Sequence, residues 1–109
     1  MYHHENEAVI ILCTVPNEEW ALKIANKLLT EKIAACITYW INAKSLYYWN
    51  DKLQNTTEVQ MLIKSDALHQ TELLRVLKNM HPYQIPEILS LPIRDGNKQY
   101  LSWISKSLI

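Results

Sequence analysis

Residues 34–64 read AACITYWINAKSLYYWNDKLQNTTEVQMLIK, and the rest of the chain is organised around them. Five of the ten aromatic residues lie between Tyr39 and Trp49, among β-branched neighbours that favour extended chain. Asn50-Asp51-Lys52 supplies turn chemistry, so the stretch reads as two long strands joined in a hairpin. A strand over 34–49 reaches ~50 Å if straight, whereas a compact chain of this length has a radius of gyration of ~13 Å. Either the strand bends at a bulge near Asn42-Ala43, or its tip projects and finds cover on another subunit. Leu46, Tyr47, Tyr48 and Trp49 form an apolar tip of the kind that marks an interface, which favours an oligomer.

Working outward, the 109 residues suffice for one domain with its own core. Hydrophobic residues make up 49% of the chain and glycine occurs once, a composition that excludes disorder and low complexity. Eleven basic side chains balance eleven acidic ones, so no field of one sign recruits nucleic acid or an anionic membrane. No apolar run approaches the ~20 residues that span a bilayer. The polar start, MYHHENE, lacks a signal peptide's apolar centre, and a cytoplasmic location is expected. Cys13 and Cys36 fall in predicted strands and read as free thiols.

Residues 1–7 are expected to be a loose tail before a single domain over 8–109. AVIILCTV, Ala8–Val15, is a continuous apolar run with the pattern of a central strand. Asn17 caps a following helix, with Glu18 and Glu19 at its positive end and Ala21, Ile24, Ala25, Leu28 and Leu29 on one face. In the hairpin's second strand Val59, Met61 and Ile63 alternate with Glu58, Gln60 and Lys64. Leu62 breaks that alternation and implies that the second face is partly covered. Ser65 or Asp66 caps a second helix with His69, Leu73, Val76, Leu77 and Met80 on one face, and Pro82 ends it by His81. The stiff connector HPYQIPE, 81–87, leads to an edge strand over 88–93, and a third helix carries Tyr100, Ile104 and Leu108 with Trp103 beside them. The order β-α-β-β-α-β-α predicts an α+β ferredoxin-like sandwich, a four-stranded antiparallel sheet with two helices on one face. The other face needs cover from the aromatic hairpin, the third helix or further subunits.

The segments VIILCTVPNEE, LLTEKIAACIT, SLYYWNDKL, EVQMLIK and HPYQIPEIL, with YLSWI near the end, resemble the CutA divalent-cation-tolerance family across almost the whole chain. The resemblance implies a ferredoxin-like fold, a cytoplasmic homotrimer whose long hairpins pair between subunits, PII-like architecture, and binding of divalent metal, copper in particular. It implies ligands at Cys13 and at a histidine pair before the connector's proline. His81 matches the second of that pair, and Met80 replaces the first. A thioether beside a thiolate suits Cu(I) better than Zn(II) or Ni(II). Asp51 stands where the family's hairpin tip has glycine, and aspartate tolerates a left-handed backbone better than most residues.

Each candidate also has a plain structural role. Cys13 suits a core position, His81 could bond the free carbonyls at its helix end, and Met80 completes an apolar helix face. His69 and Glu72 have metal-ligand spacing but read as surface residues. Met1-Tyr2-His3 with a free α-amine offers Cu(II) or Ni(II) a square-planar set of nitrogens. Catalysis finds no support: there is no Ser-His-Asp order, phosphate loop or paired-cysteine motif. An acylphosphatase-like loop would need a cation where Val15-Pro16-Asn17 stands, and an RNA-binding sheet would need basic aromatic strands. As an alternative to metal handling, Lys64, Tyr83, Gln84 and Glu87 would line an intersubunit cleft of a PII-like trimer and bind a small ligand or signal.

Overall fold

A computed structural model of the chain describes residues 7–109. The His3 site, and the expected tail apart from Glu7, lie outside the described residues. The elements run β1 (Ala8–Val15), α1 (Glu18–Thr30), β2 (Cys36–Trp49), β3 (Lys52–Asp66), α2 (Ala67–Met80), β4 (Ile88–Pro92) and α3 (Lys98–Lys106), the expected order. The strands form one antiparallel sheet in the order β2-β3-β1-β4. Consequently β2 is parallel to β1 with β3 between them, and β4 is parallel to β3 with β1 between. Two such split βαβ units make the ferredoxin-like sandwich.

Strand alternation fixes where the core sits. Val9, Ile11, Cys13 and Val15 share one face with Val59, Met61 and Ile63, and this face packs against Ile24 and Leu28 of α1 and Leu73 and Leu77 of α2. Both helices begin where the sequence supplies a cap. The Asn17 side-chain oxygen accepts from Trp20 N–H at 2.9 Å, and Asp66, not Ser65, accepts from His69 N–H at 3.0 Å. The Ser65 hydroxyl instead donates to the Ile33 carbonyl at 2.7 Å.

The hairpin both bends and projects. Trp40 pairs with Gln60 and Ala43 with Glu58, so Ile41 and Asn42 together oppose Val59, and Asn42 adopts φ 65°. This is a β-bulge, and its extra residue inverts the strand's alternation. Ile37 and Tyr39 face the helices before it; after it, Ser45, Tyr47 and Trp49 face the opposite side, and Leu46 and Tyr48 take the helix side. Asn50 and Asp51 close the tip with φ 52° and 61° between the paired Trp49 and Lys52, the double left-handed geometry of a two-residue turn. The molecule measures 51 × 26 × 22 Å with a radius of gyration of 14.8 Å, above that of a compact chain of its length.

On the second face Leu12 pairs with both Leu62 and Leu89, an apolar row that explains why Leu62 broke the polar pattern. α3 covers one end of this face. Lys64 Nζ donates to the Tyr100 hydroxyl at 3.1 Å, and Ile104 is fully buried. Leu108 was expected on that helix, but α3 ends at Lys106 and Ser107 caps it. Trp40, Leu89 and Leu91 remain about half exposed. Among the described residues no helix is long and apolar enough to cross a membrane.

Candidate functional site

β1 ends beside the 81–87 connector, and this brings Cys13 and His81 to one corner. Both turn towards the Thr14 carbonyl, which accepts from His81 Nε2–H at 2.7 Å and, more weakly, from the Cys13 thiol at 3.8 Å. His81 Nδ1 accepts from Tyr83 N–H at 3.1 Å. Since a carbonyl only accepts and an amide N–H only donates, both ring nitrogens are committed. The ring thus ties the connector to β1 and does not cap α2. Cys13 is fully buried, and burial, with a smaller contribution from the Glu87 carboxylate, pushes its thiol up to about 12. Met80 is half-buried against the core.

These donors do not fit a ready metal site in the protomer. A thiolate ligand must first lose its proton, and an imidazole ligand needs a free nitrogen. Among the described residues no three His, Cys, Asp or Glu side chains converge to hold an ion. His69 and Glu72 do not converge either. The His69 ring lies between Asp66 Oδ1 and the Ile109 main-chain oxygen, each at 2.7 Å, while Glu72 takes two hydrogen bonds from Arg75.

A cleft of about 660 Å³ opens on the second face between the hairpin, the end of β1 and the connector. Tyr83, Gln84 and Glu87 line this cleft of the protomer, and Lys64 lies elsewhere in the protomer. Lys64 pairs with Ile10 near the start of β1, whereas Glu87 adjoins Ile88, which pairs with Cys13 near its end. Strand order, which puts β4 beside β1, separates them. Lys64 instead carries the Tyr100 contact.

Sequence reading missed the cleft's central group. Glu58 looked like a solvated residue of an alternating strand, yet it is 8% exposed and accepts from the Tyr83 hydroxyl at 2.8 Å. Its signal was its shared face with Leu62, the face already marked as covered. Burial first, and then Glu58, raises the Tyr83 phenol well above its ordinary value, so it stays a donor. Tyr47 and Trp49 form an aromatic wall, and Thr56 adds a buried hydroxyl without a partner.

Comparison with known proteins agrees with this architecture. The profile of the CutA1 divalent ion tolerance protein family matches residues 9–107. The divalent-cation tolerance protein CutA of Yersinia pestis (strain Pestoides F) is 51% identical over 104 residues, covering 95% of this chain and 87% of the relative. The crystal structure of CutA from Xylella fastidiosa superposes with a TM-score of 0.91 at 34% identity, covering 94% of this chain and 99% of that one. CutA from Archaeoglobus fulgidus, described as a periplasmic divalent cation tolerance protein, gives 0.87 at 35% identity, covering 92% and 97%. The chain belongs to the CutA1 divalent ion tolerance protein family.

Proposed function

We propose that this protein acts in divalent-cation tolerance as a cytoplasmic homotrimer, with copper as its cation and no catalytic role. The observation that carries the reading is the 51% identity, over 95% of the chain, to a protein named for that tolerance. Copper is favoured by the soft donors Cys13 and Met80 beside His81. Because Cys13 is protonated and His81 is hydrogen-bonded through both nitrogens, copper binding there demands that the corner rearrange. The trimer is supported by the exposed apolar residues of the hairpin and second face. A cytoplasmic place suits the two free thiols, Cys13 and Cys36.

Calorimetric titration of the reduced protein with Cu(I) and Cu(II), alongside Cys13→Ser and His81→Ala, tests the copper reading. We expect binding that weakens in both variants. Undiminished binding in both would eliminate these ligands, and no binding in the parent would eliminate copper. Cell fractionation tests the location, and recovery outside the cytoplasm would overturn it. A second reading, a PII-like module for a small ligand, is favoured by the aromatic and carboxylate-lined cleft.

A further inference from the structure

We propose that this cleft binds a small organic cation, an ammonium group carried on an apolar body. The inference rests on the small-ligand reading and names its ligand class. At about 660 Å³ the cleft has the volume of a small-molecule site. Among the described residues its lining holds two carboxylates, Glu58 and Glu87, and no lysine, arginine or histidine. Such a lining repels phosphates and carboxylates and attracts positive charge.

The central carboxylate is underused by the protein. Glu58 is 92% buried by its 8% exposure, and among the described residues its only hydrogen bond is from the Tyr83 hydroxyl to Oε2. Among the described residues its Oε1 has no hydrogen-bond partner, and the residue lines the cleft. A buried carboxylate without a cation is unfavourable, and an ammonium group in the cleft supplies the missing charge and donors. Thr56 Oγ1, on the same face, is the one buried side-chain polar atom without a partner among the described residues. Tyr47, Trp49 and Tyr83 contribute rings to the same cleft, and ring faces attract organic cations. These aromatic walls suit an apolar body attached to the charge better than a hydrated metal ion.

The test is calorimetry on the protein as purified, near neutral pH, with benzylammonium, benzyl alcohol and benzoate as probes sharing one ring. We expect saturable benzylammonium binding, with the two other probes weaker by about tenfold or more. Glu58→Gln should weaken benzylammonium by a similar factor, and Glu87→Gln severalfold. Should Glu58→Gln not fold, Glu87→Gln decides, and unchanged affinity in it overturns the proposal. Equal or tighter binding of benzyl alcohol or benzoate overturns the cation class while the cleft stands as a small-ligand site. Binding of none of the three overturns both, and displacement of benzylammonium by equimolar Mg²⁺ or Ca²⁺ assigns the carboxylates to a metal instead.

Discussion

Cys13 would have to ionise to serve as a metal ligand, and its surroundings oppose that. With burial pushing the thiol up to about 12, the thiolate is a rare form at pH 7. Cys13 should therefore resist iodoacetamide while the protein is folded and react only on unfolding, as read by mass spectrometry of the labelled peptide. Labelling of native Cys13 at the rate of a free thiol would contradict the burial argument. His81 next to it is structural first. His81→Ala leaves the Thr14 carbonyl with only the weak Cys13 contact and the Tyr83 N–H without its His81 partner, and should cost ~1–3 kcal/mol in urea unfolding without any metal. A variant as stable as its parent would show that water replaces both bonds. His69 carries a pH dependence. Burial disfavours its charged ring, but the Asp66 carboxylate and the Ile109 oxygen outweigh that and raise its pKa. A folded value above the unfolded one near 6.5 means that the stabilisation is complete below 6.5 and lost as pH rises through the folded value. The stability gap between parent and His69→Asn should thus be larger at about pH 5 than at about pH 9. A gap that does not change with pH would remove the charge from the argument.

Among the elements, the hairpin is the most legible and the most constrained. Its strands could be read from β-branched and aromatic residues, its bulge from Asn42 and its turn from Asn50-Asp51, because asparagine and aspartate accept the left-handed conformations observed there. Asp51→Val should destabilise the tip by ~1–2 kcal/mol, the cost of a left-handed backbone for an ordinary residue. Amide exchange should then accelerate across Leu53 and Tyr48, and unchanged protection there would mean that the turn has rearranged without cost. The connector was legible as a stiff segment offering Tyr83, Gln84 and Glu87 to a cleft, and not as the partner of Glu58. Its proline-rich sequence fixes local conformation, but where it lands depends on β4 pairing with β1, a contact between residues distant in sequence. The same limit left Glu58 out of the cleft and hid that Lys64, within the protomer, lies beside Ile10 and Tyr100. Local pattern gives the face of a side chain, and only the sheet order gives its neighbours.

For the whole molecule the telling quantity is the surface left uncovered. The hairpin carries Leu46, Tyr48 and Leu53 at 65%, 73% and 61% exposure, far from the core that their hydrophobicity would otherwise seek. α3 shields one end of the second face and leaves Trp40, Leu89 and Leu91 half open. Apolar residues grouped along a projecting arm and an adjoining sheet face are unfavourable in an isolated chain, and association of copies removes them from water. The bulge sharpens how such a clamp would work. By inverting alternation it turns Tyr47 and Trp49 to the cleft and Leu46 and Tyr48 to the opposite side, so the arm presents apolar groups on both faces. Replacing Tyr48 and Trp49 together by serine strips one large group from each. In sedimentation velocity the parent should run as a trimer and the double variant as smaller species, with its circular dichroism preserved because neither residue belongs to the core. A double variant that stays trimeric would refute the clamp, and a parent that sediments as a monomer would refute the assembly itself.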